Sequence, residues 1–241
     1  MNSDGSPPGS VSTPSQAEAR PGRRPCSAYL PPPAGGRLPV VQRWMILLLA
    51  LVILATSWGA LYPRNTYLQH GPTAVLLLAA IPVLRRWPLS DAAVGCIFVF
   101  FLLHSIGARY SYSFVPYDDW ARAIFAHDIS GSFGFTRNHY DRLVHLCFGL
   151  LAIRPVREIA SRHFGMSPRA ALYVAPAFVL TCSALYEIIE WLVAVIMSPA
   201  DAEAYNGQQG DMFDGQKDMA LAALGTILAT LWSRRSARQQ A

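Results

Sequence analysis

Charged residues are scarce in this chain. Only 15% of its 241 residues are Asp, Glu, Lys or Arg, whereas 52% are hydrophobic. A soluble domain of this size usually carries about 25% charge. The apolar residues are gathered into long blocks, as expected of a chain whose solvent is lipid. The composition therefore predicts an all-α membrane protein.

Cysteine is also rare, and its placement excludes two kinds of site. Cys96, Cys147 and Cys182 lie inside apolar blocks, and Cys26 lies in a polar tail. No pair has the spacing of metal ligands or of a disulfide framework. Buried thiols that pack as small apolar residues account for them.

Familiar catalytic signatures are absent as well. The sequence has no G-x-S-x-G elbow, no Walker loop and no H-E-x-x-H, so whether the protein is an enzyme stays open. Its net charge of +5 comes from basic residues beside the apolar blocks. Interleaved basic and aromatic patches of the nucleic-acid type are missing, and we expect no nucleic-acid partner.

Three regions follow from the distribution of apolar residues. Residues 1–39 are rich in Pro, Gly and Ser and predict a disordered cytoplasmic tail. Residues 40–233 predict the transmembrane domain, and residues 234–241 a short basic cytoplasmic tail. The predicted spans are approximately 44–61, 72–84, 92–106, 143–153, 171–197 and 219–232. The fourth and sixth are short for a bilayer that about 20 residues cross.

Basic residues indicate the orientation of these spans. They crowd the N-terminal tail, the Arg85–Arg86 turn, the connection after the fourth span and the C-terminal tail. The loop before the sixth span is mainly acidic. Because Lys and Arg mark cytoplasmic loops, the alternation predicts a six-helix transmembrane bundle with both termini in the cytoplasm. The predicted location is the bacterial cytoplasmic (inner) membrane, with the lipid bilayer as partner.

Polar residues fall at one depth of this predicted bundle, on its outer side. Asp141 and His145 are four residues apart, and Glu187 and Glu190 three apart, so each pair shares a helix face. Ionisable groups at membrane depth cost at least ~2.5 kcal/mol each and usually face a bundle interior or a watery cavity. We therefore predict an outward-facing polar pocket. Its candidate residues are Arg137, His139, Asp141, Arg142, His145, Glu187, Glu190, Gln209, Asp211, Asp214 and Asp218.

Three interpretations of this pocket are open. In the first, Arg137, Arg142 and Lys217 neutralise the carboxylates, and the network only fixes helix packing. In the second, the pocket binds a divalent cation, for which carboxylates and imidazole are suitable ligands. In the third, it binds or modifies a lipid head group or a small polar ligand without metal. The candidate metal ligands are His145, Glu187, Asp214 and Asp218.

Three motifs in order carry a resemblance to a known family. They are R-N-H-Y-D-R at 137–142, Y-E-x-x-E-W at 186–191 and Q-G-D-x-x-D-x-Q-x-D-M at 209–219, and V-P-Y stands at 115–117. Over about residues 40–232 the chain resembles the YjdF-like family of uncharacterised bacterial inner-membrane proteins. Phe213 stands where the family pattern has Trp. The resemblance implies an inner-membrane location and supplies no activity.

A looser resemblance is to VanZ-like membrane proteins. Asp141-Arg142 with His145, then Glu187, then Asp218 with Gly225 follow the order of their polar residues. This resemblance implies a shared architecture and work in the cell envelope.

The leading interpretation is an integral membrane protein that binds or modifies a polar or lipid-linked cell-envelope ligand in the outward-facing pocket. A solute or ion transporter is the alternative, although transport would favour polar groups toward the inner side, where the sequence has few. A structural membrane protein whose polar cluster only fixes helix packing is the third. The oligomeric state is not indicated by the sequence.

Overall fold

A computed structural model describes residues 36–239, and helices are the only regular elements in that range. In chain order they are α1 Val40–Ser57, α2 Pro63–Arg86, α3 Asp91–Arg109, α4 Tyr117–Phe125, α5 Ile129–Phe133, α6 Tyr140–Arg162, α7 Pro168–Ile196, α8 Pro199–Asn206 and α9 Asp214–Gln239. The all-α prediction is confirmed for this range. Nearly all of the predicted tail over residues 1–39 lies outside it.

Four helices are long and apolar enough to cross a membrane by length and composition: α1, α2, α3 and α7. Their outer faces carry large apolar side chains that no other described residue covers. Leu54 is 68% exposed, Leu78 82% and Ile196 79%. Apolar surface of this extent is stable in lipid and would be unusual in water.

The helices α6 and α9 are also long, with 23 and 26 residues, but they carry more polar residues. Helix α6 packs against α3, α7 and α9. A helix surrounded by other helices presents little surface to lipid, so its polar groups can be met by protein. The fourth predicted span was short because only the apolar middle of α6 was counted. The polar ends of α6 are also helical.

Helix α2 begins nine residues earlier than the span predicted at Pro72. Pro63 occupies its first turn, where a missing N–H costs nothing, and Pro72 lies inside the helix. Polar residues line one face of its first turns. They lower the local hydropathy, and for this reason the predicted span began only at Pro72. These polar residues are buried: Asn65, Thr66, Gln69, His70 and Thr73. They face protein, as when the Thr66 hydroxyl donates to the Ala108 carbonyl oxygen at 2.8 Å.

The connection between α3 and α6, for which no span was predicted, contains helices α4 and α5. Asp128 caps α5 by accepting a hydrogen bond from the Gly131 backbone N–H at 2.7 Å. Asp118 of α4 accepts from the backbone N–H groups of Ile129 and Ser130. Short-range capping of this kind folds a polar segment into two small helices without a large apolar core.

Helices α6 and α9 cross at a contact between backbones. A Cβ atom placed on Gly149 would collide with the carbonyl oxygen of Ala222. A Cβ atom placed on Gly225 would collide with the carbonyl oxygen of Leu146. Small residues at such crossings let two membrane helices approach closely. The crossing brings the first turns of α6 and α9 side by side.

The two ends of the bundle differ in their polar contacts. At one end, which we call the basic end, the Gln42 amide donates to the Leu89 carbonyl oxygen at 2.9 Å. The Glu158 carboxylate there accepts from the Ser90 hydroxyl at 2.6 Å and from Arg162 at 2.7 Å. The opposite end, which we call the acidic end, holds the start of α6, the last turns of α7 and the start of α9.

Candidate functional site

Five charged side chains form one network at the acidic end, which we call the arginine group: Arg137, Arg142, Asp211, Asp214 and Lys217. Arg137 Nη1 lies 2.7 Å from Asp214 Oδ1, and Arg142 Nη2 lies 2.6 Å from Asp211 Oδ2. The Asp214 side chain is only 4% exposed. Asp214 is therefore paired with two arginines.

Asp211 lies in the connection before α9, because that helix begins at Asp214. Asp211 therefore does not share a helix face with Asp214 and Asp218. Asp211 accepts a hydrogen bond from Lys217 Nζ at 2.5 Å and another from the Phe213 backbone N–H. The Lys217 ammonium and this N–H lower the pKa of Asp211 to about 2. Asp211 is thus ionised at any physiological pH.

Gln209 fixes this connection to the segment before α6. Its side-chain amide donates to the Asn138 carbonyl oxygen at 3.1 Å and accepts from the Asn138 backbone N–H at 2.9 Å. Arg137 adds hydrogen bonds to the carbonyl oxygens of Gln208 and Gly207, at 2.8 and 3.2 Å. Gln209 therefore positions the backbone, and its amide is already used for that purpose.

His139 lies at the edge of the arginine group. Its ring stacks on Phe135 with centroids 4.1 Å apart, and its Nδ1 lies 3.2 Å from Arg142 Nη1. The Tyr117 hydroxyl accepts from the His139 backbone N–H at 3.1 Å. These contacts place His139 at the beginning of α6, away from His145.

A second cluster lies deeper in the bundle, and we call it the histidine group: Asp141, His145, Glu187 and Asp218. Ligand atoms of Asp141, His145 and Asp218 all lie within 4.8 Å of one another. The His145 ring lies between two carboxylates, with Nε2 3.6 Å from Asp141 Oδ1 and Nδ1 3.7 Å from Glu187 Oε1. Both separations exceed hydrogen-bond length.

The carboxylates of the histidine group are buried and poorly satisfied. Asp141 is 8% exposed, and Asp218 is 2% exposed. Neither Glu187 Oε1 nor Asp218 Oδ1 accepts a hydrogen bond from a residue between 36 and 239. Buried polar atoms in proteins nearly always have a partner, so an unpartnered pair in one cluster calls for an explanation.

Glycine at position 215 allows Glu187 to reach the first turn of α9. A Cβ atom on Gly215 would stand 2.6 Å from Glu187 Oε2. The carboxylate therefore lies beside the N-terminus of α9, where the helix dipole favours negative charge. This places Glu187 between α9 and the His145 ring.

The structure divides the candidate metal ligands named from the sequence. Asp214 belongs to the arginine group, and Glu187 lies on the opposite side of the His145 ring from Asp141. Among the described residues, the three that could share one ion are Asp141, His145 and Asp218. Glu190 lies nearer to α8: it shares a hydrogen bond with Tyr186, and its backbone carbonyl oxygen accepts from Asn206 at 3.0 Å.

A cavity of about 300 Å³ includes Asp141 and His145 of the histidine group in its lining. Residues of α2, α3, α6 and α7 form most of its lining. Its walls are mostly apolar and include Leu68, Leu76, Phe100, Phe101 and Phe148. Its polar lining includes Asp141, His145, Tyr112, Tyr186 and Tyr205. The cavity therefore has an apolar part and a polar, partly acidic part.

Several lining residues were not predicted as part of the site. The Tyr112 hydroxyl lies 2.5 Å from His104 Nδ1, and His104 Nε2 lies 3.2 Å from the Gln69 carbonyl oxygen. The signal that could have placed Gln69 and Thr73 here is their four-residue spacing on α2. Nothing in the local sequence indicates Ser183 or Tyr205.

Comparisons with known proteins agree with the membrane architecture. Residues 41–239 match the family described as "Predicted membrane protein (DUF2238)". The chain is 30% identical over 202 residues to the "Inner membrane protein YjdF" of Escherichia coli (strain K12), an alignment that covers 82% of this chain and 90% of that protein. No solved structure matches the chain. The match extends from the first residues of α1 to the last of α9, and the chain is a bacterial inner-membrane protein that belongs to the DUF2238 family.

Proposed function

We propose that this protein binds an amphipathic, lipid-linked ligand of the cell envelope in the cavity between α2 and α7. One observation carries the proposal: an apolar cavity ends on buried polar groups, Asp141 and His145. Ligand sites commonly combine mostly apolar walls with a few convergent polar groups, in volumes from about 300 Å³ upward. An acyl or prenyl chain suits the walls, and the polar group of the ligand suits the histidine group.

The place of the cavity supports a ligand that arrives through the membrane. Leu68 and Leu76 line the cavity and are also 48% and 54% exposed on the outside of α2. The cavity thus borders the surface that lipid covers. A ligand with an apolar tail could enter sideways between α2 and α7 without leaving the bilayer.

The proposal includes six crossings, by α1, α2, α3, α6, α7 and α9, with both termini in the cytoplasm. Residues 1–39 and 234–241 would then be cytoplasmic tails. The charges support this orientation. Arg85, Arg86, Arg154 and Arg157 lie near the basic end, whereas the arginine group and the histidine group lie at the acidic end. Because basic residues remain on the cytoplasmic side, the acidic end would face the periplasm.

Reporter insertions test this orientation. A reporter enzyme that is active only in the periplasm is expected to be active when inserted beside Glu203 and silent when fused after Ala241. A matched insertion beside Gly165, in the turn between α6 and α7, is expected to be silent because this turn lies at the basic end. Activity of the fusion after Ala241 would show that one of the six helices does not cross.

Filling the cavity tests ligand binding. Ser183 is 3% exposed and lines the cavity, so Ser183→Phe is expected to occupy its volume. Protein released gently from membranes should carry a bound lipid mass in native mass spectrometry. We expect Ser183→Phe to reduce the fraction of protein carrying that mass at least tenfold.

The matched control is Thr181→Phe, which introduces the same side chain two residues away on an exposed face of α7. It is expected to retain the bound mass. Unmodified protein that carries no lipid mass, or a mass that persists equally in Ser183→Phe, would contradict the proposed function. The second result would point to loosely attached membrane lipid, and a purely structural role for the polar cluster would then be favoured.

A further inference from the structure

We propose that Asp141, His145 and Asp218 bind one divalent transition-metal cation. The three side chains come from α6 and α9 at the turn where these helices lie side by side. Two ligand atoms held tetrahedrally at about 2.1 Å from a metal lie about 3.4 Å apart. His145 Nε2 and Asp141 Oδ1 are separated by 3.6 Å, and the ligand atoms of all three residues lie within 4.8 Å of one another.

A missing positive charge is the first argument for a cation. Asp141, Glu187 and Asp218 meet around a single imidazole. The nearby arginines, Arg137 and Arg142, form their ion pairs with Asp211 and Asp214 instead. Buried carboxylates without a counter-charge are costly, and a divalent ion would compensate two of them at once.

The unpartnered oxygen atoms are the second, independent argument. Asp218 Oδ1 is buried in a residue that is 2% exposed, and no described group donates to it. Glu187 Oε1 is also unpartnered, in a side chain that is 9% exposed. By comparison, Asp214 Oδ1 accepts from both Arg137, at 2.7 Å, and Arg142, at 3.4 Å. A bound ion would give Asp218 Oδ1 the partner that it lacks, whereas Glu187 Oε1 faces His145 Nδ1.

Glu187 fits the role of a positioning residue for the metal ligand. Its Oε1 lies 3.7 Å from His145 Nδ1, on the far side of the ring from Asp141. Histidine ligands usually donate their second N–H to a carboxylate, which fixes the tautomer and the ring orientation. With Nδ1–H directed at Glu187, Nε2 is left free as the ligand atom.

The mixture of one imidazole and two carboxylates indicates the class of metal. Imidazole suits Zn²⁺, Fe²⁺, Cu²⁺ and Ni²⁺, carboxylates suit Mn²⁺, and Mg²⁺ and Ca²⁺ prefer oxygen ligands. Three protein ligands leave at least one coordination position open. Asp141 and His145 also line the cavity, so the open position would meet the polar group of a ligand there. In this respect the metal site deepens the proposed function and shares its cavity.

Manganese binding to the full-length protein tests the site. Protein purified with its lipids would be treated with a chelator and then titrated with Mn²⁺, followed by electron paramagnetic resonance. We expect one Mn²⁺ per chain and an electron spin echo modulation from a directly bound nitrogen. His145→Gln should remove that modulation. Asp218→Asn should weaken binding at least 100-fold, and Glu187→Gln should weaken it 10- to 100-fold.

His163→Gln is the matched control, because His163 follows the last turn of the same helix and contacts the Pro88 carbonyl oxygen instead. It should bind Mn²⁺ as the unmodified protein does. Unmodified protein without a stoichiometric Mn²⁺ site would overturn the proposal, as would nitrogen modulation that persists in His145→Gln. If His145→Gln does not fold, the Mn²⁺ affinity of Asp218→Asn tests the proposal instead. This substitution removes a charge from an acidic cluster and keeps the side-chain volume, so the variant is expected to fold.

The metal and ligand proposals fail separately. Ser183→Phe should lose the bound lipid mass and keep its Mn²⁺, because Ser183 is not among the three ligands. Protein that carries a lipid mass but binds no Mn²⁺ would contradict the metal proposal and leave the proposed function unaffected. Stoichiometric Mn²⁺ in a protein that never carries a lipid mass would leave the metal site standing and contradict the proposed function.

Discussion

Gly149→Leu is expected to prevent accumulation of folded protein. Any Cβ atom at position 149 meets the Ala222 carbonyl oxygen and stands 2.8 Å from the Thr226 backbone nitrogen. Both are backbone atoms of α9, so no side-chain rotation relieves the clash. Helices α6 and α9 would have to separate. Overpacking typically costs about 1–3 kcal/mol and occasionally more. A clash with backbone atoms belongs at the upper end, which is a large part of the roughly 5–15 kcal/mol that stabilises a typical folded protein.

The effect is best measured as the fraction of a fluorescent fusion that elutes as one symmetric peak after mild detergent extraction. Gly225→Leu is expected to behave similarly, because a Cβ there meets the Leu146 carbonyl oxygen from the other side. Gly71→Leu is the matched control: Gly71 is also inside a helix, and a Cβ there has no atom within 4 Å. Equal yields of Gly149→Leu and Gly71→Leu would show that the two backbones do not touch.

This crossing illustrates what the sequence could and could not predict. The apolar blocks predicted the long helices, because the period and composition of a block are local properties. The pairing of Gly149 with Gly225 was not predictable, because it depends on which helices are neighbours. The start of α2 was misplaced for a related reason: Asn65 and Gln69 look unfavourable in lipid, and only their burial against protein makes them acceptable.

The site shows the same division between local and tertiary information. Helical spacing predicted that Asp141 and His145 share a face, and they lie 3.6 Å apart. Partners on different helices were not predictable in this way. Asp214 was grouped with His145 as a candidate metal ligand, yet Arg137, 77 residues away in sequence, is its nearest charged partner. The assignment of each carboxylate to an arginine or to the histidine required the fold.

Arg137→Ala is expected to destabilise the protein by about 3 kcal/mol. Breaking a buried ion pair leaves an uncompensated charge, which commonly costs 3–5 kcal/mol. Asp214 would keep only Arg142, whose Nη2 lies 3.4 Å away and is shared with Asp211. Two hydrogen bonds to the carbonyl oxygens of Gly207 and Gln208 would be lost as well. Thermal unfolding in detergent, compared with the unmodified protein, measures the effect.

Asp214→Asn in the same chain separates the charge from the hydrogen bonds. If an unpaired carboxylate is the main cost of Arg137→Ala, the double variant should recover at least half of the lost stability, because it removes that charge. Arg122→Ala is the surface control: the Arg122 side chain is 51% exposed and pairs with Asp119 and Asp128, and exposed pairs contribute about 0–1 kcal/mol. Comparable losses in Arg137→Ala and Arg122→Ala would mean that water reaches Asp214 freely. In that case the ion pairs of the arginine group would be exposed to water and would contribute little to the stability of the fold.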